Sequence, residues 1–212
     1  MPYRQTDTTR ATADAKRSAF LGAARSLVSQ NGFGAATVAA IARESGNSVG
    51  LVYSYFDNRE NLLSEVFRSA AGHELDAVKD AVAAAGEDPV AQVAALVDTF
   101  AHRALQGRQM AWSLLFEPVT TGIDTERLVF RREYHALGEQ IIVRGVAAGV
   151  FVVDHVDVAA SAVMGAISEA LVGSLSPLAD QSRSTVTPGE VVTGIRHFCF
   201  RALGAPVPGA ER

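Results

Sequence analysis

Between Thr37 and Asn58 the chain carries three helix-start signals, with a single glycine, Gly46, between the first two. Thr37 precedes an apolar pattern at Val38, Ile41 and Ala42, so its side-chain oxygen is placed to cap a helix. Ala42 is small enough to let a second helix cross closely. Gly46 falls just past the last turn, where the backbone turns left-handed and glycine has no Cβ to oppose it. Ser48 caps a second short helix, with Val52 and Tyr55 on its inner face. Asp57 or Asn58 caps a third, and Glu60 in its first turn suits the helix dipole. Two short helices crossing at a glycine-containing turn form a helix-turn-helix, a layout that points to DNA rather than catalysis.

The rest of the chain reads as helix after helix. Hydrophobic residues make up 48%, prolines number 7, and strand-like alternation is rare. An all-α protein follows. Nine helices are predicted, over 12–30, 38–44, 49–55, 59–84, 89–106, 110–116, 125–148, 156–175 and 187–203. Asp88-Pro89 starts the fifth and Pro188 sits in the first turn of the ninth. Gly86 and Gly149 end the fourth and seventh; Pro118 and Pro177 stop the sixth and eighth. Residues 176–186 form a polar loop, and 204–212 read as a frayed tail.

Charge is unevenly placed. Residues 1–59 carry Arg4, Arg10, Lys16, Arg17, Arg25, Arg43 and Arg59 against Asp7, Asp14, Glu44 and Asp57, although the whole chain is at −4. A positive head on a negative body suits a protein that touches DNA at one end; ordinary charge scatter is the competing reading. One cysteine, Cys199, excludes an internal disulfide and fits a reducing, cytoplasmic setting as a buried inert thiol. No basic-then-apolar leader opens the chain, and the charge-free run over 45–56 is too short to cross a bilayer, so no membrane partner is expected.

Residues 10–63 resemble the DNA-binding domain of TetR (tetracycline-repressor) family regulators. The likeness rests on Phe20, Leu21, Ala23, Ala24, Leu27 and Val28, then Asn31-Gly32-Phe33, then Thr37 to Ala42. It continues through Gly50-Leu51-Val52-Tyr53-Ser54-Tyr55-Phe56 and closes with Arg59-Glu60-Asn61-Leu62. Three positions depart from the family: Ser45 replaces the usual Ala, Asn47 a frequent Val, and Arg59 a common Lys. The last keeps the charge but changes its geometry.

The resemblance implies an N-terminal helix-turn-helix domain over 1–58, a helical ligand-binding and dimerisation domain over 59–204, and a tail over 205–212. The helix over 49–55 would enter the major groove. It holds no Arg or Lys for guanine, so readout falls to Val49 or Leu51 against a thymine methyl and to the hydroxyls of Ser48 and Ser54. Gly50 permits close backbone approach. Thr37, Ser48, Tyr53, Tyr55 and Arg59 stand at positions that touch phosphates in the family. A half-buried place in the core is the alternative for both tyrosines. Arg4 and Arg10 lie in an arm that reaches a minor groove or contacts nothing.

One head covers one half-site, so a homodimer on double-stranded DNA with a palindromic operator is implied, its half-sites about 34–36 Å apart or further by whole turns. Small residues on the eighth helix, Ala162, Gly165, Ala166 and Gly173, permit close packing, and the ninth offers Ile195 and Phe198. These would form the dimer interface; burial inside one subunit is the other reading. A small-molecule effector would bind among Phe100, Arg103, Trp112, Phe116, Tyr134, Met164 and Glu169, each of which could equally be plain core or surface. The expected outcome is a repressor released from its operator by a small, largely apolar ligand.

Other classes find less support. The histidines at 73, 102, 135, 155 and 197 lack metal-ligand spacing, so no metal or other cofactor is expected. No phosphate loop or nucleophile elbow appears, so neither catalytic residues nor enzyme activity are expected. A helical small-molecule carrier with a vestigial head remains; it would bind ligand without salt-sensitive DNA affinity.

Overall fold

The computed structural model describes residues 7–178 and 186–207. Among them it holds nine α-helices and no strand: α1 Asp7–Ala35, α2 Val38–Glu44, α3 Val49–Tyr53, α4 Arg59–Ala84, α5 Pro89–Gln106, α6 Arg108–Leu115, α7 Thr121–Ala147, α8 Val156–Leu175 and α9 Pro188–Ala202. The all-α expectation therefore holds, and the cap signals explain most boundaries. Thr37, Ser48, Asn58, Asp88 and Thr187 each accept a backbone N–H at a helix start. At Thr187 the bond is reciprocated by Glu190, a full capping box. Gly46, Gly86 and Gly149 all adopt positive φ at helix ends.

Five ends differ by two residues or more from the reading of the sequence; α1, expected to stop at 30, runs on across a break at Gly32 to Ala35. α1 begins at Asp7, so Arg10 lies on a helix rather than in an arm; Arg4 lies outside the described residues. α3 stops at Tyr53 because the Ser54 hydroxyl bonds back to the Leu51 carbonyl at 2.7 Å, in place of continued helix. α6 starts at Arg108 because Gly107 serves both as the end of α5 and the start of α6. α7 starts at Thr121, ahead of the local signal at Thr125, because Glu60 of α4 reaches across and accepts the Gly122 N–H at 2.8 Å. Of the polar loop over 176–186, residues 179–185 lie outside the described residues, as do 208–212 of the tail. The tail's first residues are ordered against the body: Ala205 is buried and its N–H bonds the Phe200 carbonyl at 2.9 Å.

Two apolar cores share α4. The head core gathers Phe20, Phe33, Ile41, Val52, Phe56, Leu62 and Phe67, with Leu114 and Ile123 from α6 and α7 closing its base. The body core gathers Val97, Ile141, Ile142, Phe151, Ile167, Leu171 and Phe200 from α5, α7, α8 and α9. Each such side chain, taken wholly out of water, contributes about 1.5–3 kcal/mol.

α8 differs from the bilayer argument made on charge-free runs. Its 20 residues have a mean hydropathy of 1.6, long and apolar enough by length and composition to cross a membrane. Asp157 and Glu169 interrupt the run without making the helix polar. The cause is visible in the packing, because two faces are apolar. Ala160, Val163, Ile167, Leu171 and Leu175 are buried in the body core. Val158, Ala162, Gly165 and Gly173 face outward.

Cys199 is fully buried, and burial pushes its thiol up to about 11. At pH 8 it is therefore neutral and shielded. A thiol reagent such as DTNB should leave the native protein unlabelled over the time in which urea-unfolded protein reacts completely. Rapid labelling of native protein would show that the body opens around α9.

Candidate DNA-reading surface and ligand cavity

The turn between α2 and α3 is built from short-range bonds. Thr37 Oγ1 accepts the Ala40 N–H at 3.1 Å and Ser48 Oγ accepts the Leu51 N–H at 3.2 Å. Gly46 takes φ 66, and the Asn47 N–H reaches back to the Ala42 carbonyl at 2.8 Å. Asn47, one of the departures from the family, adds contacts. Its Nδ2 donates to the Ser45 carbonyl at 2.6 Å and its Oδ1 accepts from Lys16 Nζ at 3.1 Å. Lys16 thus stands beside the start of α3, a cation the sequence reading did not assign to the site. Only the fold brings it there from α1.

Five residues expected at DNA lie exposed on this surface: Thr37, Ser48, Val49, Gly50 and Tyr53. Val49 is 42% exposed and Tyr53 52%. Ser54 is exposed beside them. Three others turn inward. Leu51 packs on the head core. Tyr55 is half-buried against Phe20, ring centroids 5.6 Å apart, so the core reading applies to it. Arg59 donates from Nε to the Ala36 carbonyl at 2.9 Å and from Nη2 to the Phe33 carbonyl at 2.5 Å. Its planar fork ties the end of α1 to the start of α4, a geometry that a lysine ammonium would not reproduce.

Between α4, α5, α6 and α7 lies a cavity of about 740 Å³ of empty space, its open mouth included. Phe67, Val78, Phe100, Met110, Leu114 and Phe130 make most of its wall. Phe100, Arg103 and Tyr134 of the expected ligand residues line it. Trp112 and Phe116 pack on each other and on the body core, Met164 packs on the same core, and Glu169 is exposed on α8. None of these four lines the cavity. The sequence reading missed Glu74, Arg127 and Arg131, which do.

The polar groups of the wall are arranged. Arg103 makes a forked pair with Glu74, at 2.6 and 3.1 Å, and this hydrogen bond holds the guanidinium above its ordinary pKa. Tyr134 meets Phe100 edge-on at 5.3 Å; burial, reinforced by the Glu74 charge, drives its phenol well above its ordinary value. Arg127 donates to the carbonyls of Leu114 and Glu117 at 2.9 and 2.8 Å and to Asp124 at 2.9 Å. Burial pulls its pKa down, opposed by Asp124.

A second carboxylate joins body to head. Glu117, just beyond α6, accepts the N–H groups of Phe33 and Gly34 at 3.0 and 3.1 Å. Gly32, φ 81 and ψ 175, makes the break in α1 that exposes those donors. Phe33 in turn stacks on Phe67, a cavity residue, at 6.0 Å. Cavity wall, α1 break and Arg59 staple are thus contiguous. At the other end of the same seam Glu60 caps α7, and its bonds from Thr120 and then Gly122 hold its carboxyl below the usual range.

The residues expected at the dimer face divide between surface and core. Ala162, Gly165, Gly173 and Phe198 are exposed, Phe198 at 57%, and Ala166 is half-buried. Ile195 is buried in its own subunit's core, one face away.

Residues 20–66 match the family model described as "Bacterial regulatory proteins, tetR family", and residues 86–171 match a "Tetracyclin repressor-like, C-terminal domain". The HTH-type transcriptional regulator BetI of Stenotrophomonas maltophilia (strain R551-3) is 33% identical over 102 residues, 48% of this chain and 52% of that protein. The chain thus matches about half the length of this curated relative. Among solved structures, a fatty acid degradation regulator FadR from Bacillus halodurans superposes with a TM-score of 0.71 at 19% identity, over 87% of this chain and 94% of that one. FadR from Bacillus subtilis in complex with stearoyl-CoA gives 0.69 at 17%, over 92% and 99%. RolR in complex with resorcinol gives 0.66 at 18%, over 93% and 92%. These likenesses show a common fold. With an N-terminal and a C-terminal family domain matched in order along one nine-helix chain, the protein belongs to the TetR family of transcriptional regulators.

Proposed function

We propose that this regulator is a cytoplasmic homodimeric repressor that holds a palindromic operator and releases it when a small, largely apolar ligand fills the cavity. The observation that carries the reading is the pairing of a capped, outward-facing α3 with a cavity whose wall continues into the head. α4 serves both cores, so a change in the cavity wall moves the head with it. Residues 1–58 would act as the DNA head, 59–204 as the sensing and pairing body, and 205–212 as a tail. Two heads spaced by pairing through α8 and α9 would meet successive major grooves. A ligand shifts the balance only as far as it prefers the form with the heads apart. That neighbours of this fold hold resorcinol or stearoyl-CoA supports a cavity open to apolar ligands.

The test is selection of bound duplexes from a random pool at two salt concentrations. An enriched palindrome whose affinity falls steeply with salt supports the proposal. A protein that binds the cavity's ligands but selects no duplex would be a carrier. On the selected operator, Tyr53→Ala should weaken binding by about 1–3 kcal/mol, about fivefold or more. The side chain is exposed, so its melting temperature should match that of the parent. Unchanged affinity would remove Tyr53 from the interface.

A further inference from the structure

We infer that the cavity takes an amphipathic anion, an alkyl or aryl body ending in one acidic group, with that group seated at Arg131. The inference rests on the cavity reading above and names the ligand's charge. The walls are apolar on three helices, so the ligand's bulk is apolar. The polar residues of the wall decide its end group. Glu74, the one carboxylate lining the cavity, is already answered by both nitrogens of the Arg103 fork. A cationic ligand would therefore find no free acid and would meet three guanidiniums. Arg127 is committed to Asp124 and to the carbonyls of Leu114 and Glu117.

Arg131 differs. It lines the same cavity one turn along α7, it is exposed, and among the described residues it makes no hydrogen bond or ion pair. Its neighbour Arg127 feels it as a repelling charge, so two like charges stand together at this end of the wall. The nearby acids are otherwise occupied: Glu126 by Arg68, Glu133 by Lys79, and Asp124 by Arg127. An anion placed there relieves the repulsion and gains a forked, charge-assisted partner. One turn further along α7 the Tyr134 hydroxyl, kept protonated by burial, offers a neutral donor to the ligand body.

The experiment is calorimetric titration of the full-length dimer with decanoate, decanol and decylamine, repeated with dodecanoate, dodecanol and dodecylamine. The expected result is that each carboxylate binds at least tenfold more tightly than the matching alcohol. Arg131→Gln should remove that advantage while leaving the alcohol's affinity unchanged. Ala104→Phe, or Ala71→Phe if the first variant is unstable, fills the cavity and should abolish binding of all three classes. If alcohol or amine binds as well as carboxylate, and cavity filling blocks it, the anion inference falls while the cavity reading stands. If carboxylate binding survives cavity filling, both fall, since the anion is held elsewhere. If the carboxylates do not bind at all, the inference falls.

Discussion

Gly32→Ala should destabilise the protein by about 3 kcal/mol or more, far beyond an ordinary glycine substitution. At φ 81 and ψ 175 the residue occupies a region of backbone space that is essentially glycine's alone. A Cβ there would stand 2.6 Å from Glu117 Oε2, so the carboxylate must leave. Its departure strips the Phe33 and Gly34 N–H groups of their acceptor; Gly34 is exposed to water, but Phe33 is buried, and a buried donor left unmatched costs about 1–3 kcal/mol. Gly46→Ala is the control: its φ is also positive, at 66, but nothing lies within 4 Å of the added methyl. That variant should lose about 1 kcal/mol. Urea unfolding of the two variants decides the matter. Equal losses would mean that Glu117 does no more than decorate the break. Because Phe33 also receives Arg59, the alanine variant should in addition weaken operator binding more than its stability loss alone accounts for.

Gly145→Ala should cost on the order of 3 kcal/mol by a different route. Gly145 lies in the last turn of α7 without positive φ, where alanine is normally the better residue. Here its Cβ would lie 2.0 Å from the Phe151 ring, inside any van der Waals contact. Phe151 has nowhere to go. After Gly149 turns the chain at φ 70, the N–H groups of Val150 and Phe151 both return to the Gly145 carbonyl, at 2.9 and 3.1 Å. The ring is clamped over the glycine and buried among α7 and the body core. Either the ring leaves the core or α7 shifts. Shrinking the ring should compensate, so Gly145→Ala with Phe151→Leu should lose less than the sum of the two single changes. Additive losses in that cycle would place the ring away from the glycine.

The comparison of sequence and structure separates local from distant causes. α2, α4, α5 and α8 begin and end where their residues indicate, because caps and glycines act within a turn of themselves. The early start of α7 was not legible: Glu60 that caps it lies on α4, and no pattern near Thr121 announces a cap supplied from there. The same distinction runs through the sites. Ser48, Val49, Gly50 and Tyr53 were legible as an outward face because one short helix sets their directions, and Thr37 because it caps α2. Arg59 was expected at a phosphate by resemblance; its bonds to the Phe33 and Ala36 carbonyls are visible only once the chain is folded. In the body, aromatic bulk picked out Phe100 and Tyr134 but also Trp112 and Phe116, since size alone does not tell a cavity wall from the core behind it. Arg127 and Arg131 went unread because charged residues on a long helix look like solvent-facing ones until a cavity is seen to open beside them.

α3 leans on the body of the head through Val52 and, partly, Leu51, while Val49, Gly50 and Tyr53 touch little but solvent. Its shape is imposed by its caps and by the helices around it, not by its own outer residues. Substitutions there should therefore be nearly silent in folding, within about 0.5 kcal/mol. Such a head can exchange one operator for another by single steps, with no stabilising change required first. The chemistry of recognition is free to drift across generations on a scaffold that does not notice.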